Sequence, residues 1–247
     1  MGYFDEQIIP HLKSPSIYLF GLGLGLATYL GKNMLNRYKK KNEIKMNVNN
    51  TIYFLMHFGL NMFCVYNCAY NVIDLIKKPT EIKLVPNTMA IYVFLFHAYH
   101  ILLCGASKID PDEMIHHIGV FISCPLMCIR YNNLCDMGMF AMTGLSGGIT
   151  YLLLYLKNMH YIKSITEKRA SKHLNMWIRN PLCILTSYII YLNYIANGSI
   201  YKYPLLYQFG VGFCFVGTFM NGVYFASTII ESHGIARYKH KIENNTN

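Results

Sequence analysis

Charge is scarce in this chain. Only 14% of its 247 residues are Asp, Glu, Lys or Arg, whereas soluble domains average about 25%. The apolar residues, 53% of the total, gather in long blocks. That combination argues against an ordinary water-soluble domain and points to helices that cross a membrane. Acids are scarcer still, with 12 Asp and Glu against 22 Lys and Arg and a formal charge of +10. A nucleic-acid-binding protein clusters its basic residues on one solvated face. Here they sit in short loops between apolar runs, so no nucleic-acid partner is expected.

Several motifs are also missing. The eight cysteines include no Cys-x-x-Cys, which argues against a zinc ribbon or a disulfide framework. They read as free thiols packing like small hydrophobes. No H-x-x-H-H box occurs, which argues against a di-iron desaturase or hydroxylase. The last apolar run, Tyr203–Ile230, has no lysine for a retinal Schiff base, and neither D-R-Y nor N-P-x-x-Y is present. Rhodopsins and related receptors are rejected on those grounds. No cleavable leader is expected, because "MGYFDEQIIPHLK" is acidic before it is basic.

What remains is a set of seven apolar runs, at about Pro15–Gly31, Ile52–Ile76, Leu84–Ala106, Met114–Ile129, Leu134–Leu156, Asn175–Ala196 and Tyr203–Ile230. They lack strand alternation, and only helices or closed barrels satisfy backbone polar groups in lipid. The fold class is therefore all-α, a polytopic integral membrane protein of about seven transmembrane helices. One N-terminal helix and a basic loop (1–48) precede a six-helix membrane domain (49–232) and a basic, polar tail (233–247). The tail "ENNTN" is expected to be disordered. In the first run, Gly21 and Gly25, and Gly23 and Ala27, form small-xxx-small pairs that permit close helix packing and a homodimer through this helix. Pro125 is placed to kink the fourth run.

Fifteen Lys and Arg fall in the loops 32–46, 107–113 and 157–174 and in the tail, against six on the other side. The positive-inside rule then puts the N-terminus in the lumen and the C-terminus in the cytosol. Arg179 falls inside a span and is expected to snorkel toward the cytosolic interface. Asp136 is expected to pair with Arg130, and the intramembrane asparagines to bond between helices.

The candidate chemistry lies around "DPDEMIHHIGVF". Asp110, Asp112 and Glu113 suit a helix N-terminus, with Asp110 or Asp112 as its cap. His116 and His117 follow, pointing about 100° apart, so they cannot readily share one ligand. One helix earlier, His97 and His100 in "FHAYHILLC" share a face at i, i+3. Four histidines across one hairpin could bind a metal or supply a general base; no metal is assigned.

From "AYHILLC" through "DEMIHHIGVF" to "GLSGGITYLLLYL", over roughly residues 50–232, the chain resembles the TLC-domain family. That family includes ceramide synthases and lipid-homeostasis proteins. The carrying features are His116–His117 opening a span, the apolar span itself, and a small, polar kink at Leu145–Gly148 in the next. Where ceramide synthases resemble one another in His-Asp and a further Asp, this chain has Thr143, Gly144 and Gly147. The resemblance implies a helical barrel around a lipid-sized cavity in the endoplasmic reticulum membrane. His116 and His117 are then the candidate catalytic pair. His97, His100, Thr143, Ser146 and Gly147 are candidate lipid-binding residues. The implied function is binding, sensing or trafficking of membrane lipid, with no cofactor. Two alternatives stand beside it: an acyl-CoA-dependent lipid N-acyltransferase with acyl-CoA as co-substrate, and a structural or partner-binding membrane protein.

Overall fold

A computed structural model describes residues 14–86, 88–104, 111–128 and 130–245, with the backbone alone at 103–104, 111–113 and 243–245. The chain is all-α. Seven helices occupy the described residues: α1 (Pro15–Asn42), α2 (Val48–Lys77), α3 (Thr88–Cys104), α4 (Pro111–Cys128), α5 (Asn133–Asn158), α6 (164–196) and α7 (Leu205–Asn245). Among these residues there is no strand, and Leu84 and Asn132 form one isolated bridge.

The helix starts follow from local chemistry. Ser14 precedes Pro15, whose missing N–H and fixed φ suit the first helical position. Asn47 caps α2: its Oδ1 accepts from the Asn50 N–H at 3.1 Å. Asn132 caps α5 through bonds from the N–H groups of Leu134 and Cys135, at 3.0 and 3.3 Å. α1 closes on Lys39, Lys40 and Lys41, cations that complement the helix dipole. The chain leaves α6 through Gly198, at φ +65°, a conformation that a Cβ would penalise.

Among the described residues, three helices are long and apolar enough to cross a membrane: α2, α5 and residues Leu205–Ile242 of α7. At 1.5 Å per residue, the 30 residues of α2 reach about 45 Å, more than a hydrocarbon core of about 30 Å. Their apolar windows are only 33%, 33% and 17% buried inside the protein. Most of that apolar surface therefore faces outward, as lipid requires and water disfavours. Thr88–Leu102 and Met114–Cys128 are apolar but shorter.

Several expectations change. α1 runs on to Asn42 and α7 to Asn245, so most of the supposed disordered tail is helical. Pro125, the position expected for a kink, lies inside α4. The irregularity near "LSGG" is a π-helical turn at Phe140–Gly144, just before that motif. The capping role of Asp110 and the loop 105–110 lie outside the described residues, and so do the side chains of Asp112 and Glu113. The seven cysteines whose side chains are described are free thiols.

The chain divides into two compact units. The first comprises Met1–Ala27, Asn67–Met139 and Tyr188–Gly217, and the second Thr28–Tyr66, Phe140–Ser187 and Thr218–Asn247. In the first, the Asp136 carboxylate is held by Tyr131 Oη at 2.7 Å, by Asn71 Nδ2 and by Cys68 Sγ at 3.5 Å. Arg130 does not pair with it and instead lies 5.0 Å from the centre of the Tyr203 ring. Three neutral donors suffice for a carboxylate near a helix start, where the dipole also favours negative charge. In the second, Leu35, Met46, Ile52 and Met159 form an apolar core flanked by Tyr38 and Tyr155.

A Cβ built on Gly21, Gly23 or Gly25 would meet nothing within 4 Å. The expected close packing at these glycines is therefore not made among the described residues. Gly21→Ala and Gly25→Ala should change monomer stability by no more than about 0.5 kcal/mol, or raise it through helix propensity. Denaturant titration in mixed micelles reads this directly, and a loss above about 2 kcal/mol would show a packed interface there.

Candidate functional site

The four sequence-marked histidines meet in the first unit. α3 and α4 pack together and bring two pairs into contact. His97 Nε2 lies 3.2 Å from His116 Nε2, and His100 Nδ1 lies 3.1 Å from His117 Nε2. His97 Nδ1 is 2.7 Å from the Val93 carbonyl. A carbonyl only accepts, so that nitrogen carries the proton. Neutral His97 then offers its Nε2 lone pair, and the His116 Nε2–H donates to it. His117, His97 and His100 are buried, at 1%, 3% and 6% exposure, while His116 is half-buried. The adjacent histidines thus reach separate partners, as their angular offset requires. Phe121 stacks on His117 with ring centres 6.5 Å apart. Among the described residues, no three His, Cys, Asp or Glu are placed to hold a metal ion.

A second polar centre, which the sequence reading missed, lies in the second unit. Along α6, Glu167, Ser171, Asn175, Arg179, Cys183 and Ser187 recur every four residues, and all are buried. In a regular α-helix that spacing drifts about 40° per step and would spiral outward. α6 contains π-helical turns at Asn175–Arg179 and Tyr191–Ala196. A π turn holds more residues per turn and swings the stripe back. The stripe is linked from Glu167 to Arg179: Ser171 Oγ donates to Glu167 Oε1 at 3.1 Å, Asn175 Nδ2 to the Ser171 carbonyl at 2.8 Å, and Arg179 to Asn175 Oδ1 at 3.2 Å.

Arg179 is the focus of this centre. It is 8% exposed. Its second terminal nitrogen donates to the Met142 carbonyl at 2.8 Å. That carbonyl belongs to the π turn Phe140–Gly144, so π turns of two helices meet at one guanidinium. The guanidinium also lies 4.4 Å from the centre of the Phe225 ring. Arg179 therefore does not snorkel: its terminal nitrogens are consumed inside. No carboxylate among the described residues forms an ion pair with it. Its Nε is buried without a hydrogen-bond partner, as are Ser146 Oγ, Thr150 Oγ1, Asn180 Oδ1 and Asn221 Oδ1, all in the same unit. A buried charge is ordinarily paired, because desolvation without compensation is costly.

Two glycines border this centre. A Cβ on Gly147 would lie 2.8 Å from Asn61 Nδ2 and 3.5 Å from an Arg179 terminal nitrogen. A Cβ on Gly222 would lie 2.8 Å from Cys183 Cβ and 3.0 Å from Asn180 Oδ1. Of the sequence-marked residues, Gly147 thus lies beside Arg179, and Ser146 precedes it in the chain with its hydroxyl buried. Thr143 lies in the same π turn as Met142. The marked set divides into histidines in one unit and small, polar residues in the other.

Compared with protein families, curated proteins and solved structures, the chain gives no significant match to any of the three. The TLC resemblance accordingly rests on its short motif alone. The signal for Arg179 was nonetheless present in the sequence, as polar residues at four-residue spacing from Glu167 to Ser187. It was hidden because a straight α-helix would not keep them on one face.

Proposed function

We propose that this is a multi-pass, TLC-like membrane protein that binds a polar lipid headgroup in membrane lipid homeostasis. The observation that carries the reading is Arg179, a guanidinium buried in a chain with membrane-spanning helices and unpaired by any described carboxylate. Intramembrane ionisable residues mark substrate paths and binding sites by default. The unpartnered Nε–H of Arg179 and the hydroxyls of Ser146 and Thr150 are donors suited to a phosphate or carboxylate oxygen. Asn180 and Asn221, in the same unit, carry buried unpartnered acceptors suited to a hydroxyl or ammonium. The endoplasmic reticulum and a cytosolic C-terminus remain the location and topology we assign, from the family resemblance and the distribution of Lys and Arg.

Mass spectrometry of protein purified in mild detergent tests this. A stoichiometric anionic or zwitterionic lipid is expected in the wild type. A chain purified without lipid, yet folded, would overturn the reading.

The His97–His116 bond favours a second reading, acyl transfer, because it fixes the tautomer that a general base would need. An assay with long-chain acyl-CoA and sphinganine separates the two. Under the binding reading, wild type, His116→Ala and His117→Ala all give background turnover. Histidine-dependent product would establish the enzyme.

A further inference from the structure

α6 carries a second face, distinct from its buried stripe. Ile165, Arg169, Lys172 and His173 recur at i, i+4, i+7 and i+8. His233, Arg237, His240 and Lys241 repeat the same spacing near the end of α7. Both faces line one cavity of about 560 Å³ within the second unit. That spacing marks the face by which a helix packs on a neighbour, and it is normally apolar. Here both opposing faces are basic, with four permanently charged side chains and only Ile165 as apolar wall. The charges of Lys172, Arg169 and Arg237 all bear on His233. Glu167 and Glu231 are close in sequence but do not line the cavity; Glu167 is buried in the stripe and bonded to Ser171, and the side chain of Glu243 lies outside the described residues. Two like-charged faces repel one another unless an anion lies between them.

We infer that this cavity binds a headgroup bearing clustered phosphate monoesters. Arg169 and Arg237 come from opposite walls and can each grip a phosphate through two parallel N–H bonds. Lys172 and Lys241 add point charges. The volume lies within the range of about 300–1,000 Å³ usual for small-ligand pockets. Depth favours a lipid as the source. Lys172 precedes the apolar run that starts at Asn175, and His233 follows the run that ends at Ile230. At 1.5 Å per residue, each lies about 5 Å beyond the hydrocarbon edge, at the level of headgroups. Juxtamembrane basic clusters attract multiply charged lipid headgroups. A concave site adds discrimination between phosphates that are clustered and charge that is merely spread. The cavity shares no residue with the Arg179 centre, so either site can fail alone.

The test uses the full chain in neutral detergent, titrated with short-chain phosphatidylinositol bisphosphate, short-chain phosphatidylserine and free inositol trisphosphate. The bisphosphate lipid should bind at least about tenfold more tightly than phosphatidylserine at matched total charge. Arg169→Gln with Arg237→Gln should weaken it at least about tenfold. Both arginines are exposed, so the double variant should fold. Lys39→Gln with Lys41→Gln removes equal charge from α1 and should leave binding intact. Inositol trisphosphate binding as tightly as the lipid keeps the phosphate site and makes its source soluble. Weaker binding keeps the site and makes the source a membrane lipid. Equal affinity for phosphatidylserine, or an equal loss in the α1 variant, would overturn the proposal in favour of diffuse charge attraction.

Discussion

Arg179→Met should strip the chain of its co-purifying lipid and leave it folded. The two effects separate because the guanidinium carries an uncompensated desolvation cost. Met fills the volume out to the position of Nε, gives up the guanidinium's contact with the Phe225 ring and removes that cost. Against this, the Met142 carbonyl and Asn175 Oδ1 each lose a charged donor. Stranding an acceptor costs about 1–3 kcal/mol. The opposed terms leave a net change of about 1–2 kcal/mol in either direction, whereas breaking a compensated buried ion pair costs about 3–5 kcal/mol. Lipid occupancy by mass spectrometry and unfolding in mixed micelles, measured on one preparation, distinguish these cases. A loss of 3 kcal/mol or more, with lipid lost only as the protein unfolds, would make Arg179 a structural strut. Arg179→Lys should lie between. It keeps the charge but cannot spread donors over Met142, Asn175 and a headgroup at once.

The second large effect belongs to the histidines. His117→Ala should destabilise the chain by about 2–4 kcal/mol, because it opens a cavity under Phe121 and removes the bond to His100. His116→Ala should cost no more than about 1 kcal/mol, since His116 is half-buried. A double-mutant cycle on His100 and His117 should return a coupling of about 1–2 kcal/mol. A cycle on His100 and His116 should return almost none. Equal costs for His116 and His117, or coupling in the wrong cycle, would contradict the pairing seen across α3 and α4.

The helices were legible in the sequence because apolar runs without alternation leave the backbone one way to satisfy itself in lipid. The histidine hub was legible too, since i, i+3 spacing on α3 and adjacency on α4 put four rings near one hairpin. Partner choice was not. Asp136 looked suited to Arg130 by proximity in the chain, yet Tyr131, Asn71 and Cys68 take its oxygens while Arg130 lies over Tyr203. Asn71 and Tyr203 are distant in sequence, and no local rule brings them there.

Composition and periodicity by themselves determined an all-helical chain rich in membrane-length segments, the stretches that carry its basic residues, and the histidines worth watching; that most of those basic stretches are helical rather than loops was decided by the structure. These properties are local: each depends on a few neighbouring residues and on the solvent they face. Only the tertiary structure decided the fate of Arg179. Its burial depends on π turns that hold a four-residue stripe to one face, on a carbonyl from α5, and on the Phe225 ring of α7. The same holds for the basic cavity, where two ordinary charge patterns line one space because α6 and α7 turn their cationic faces toward each other.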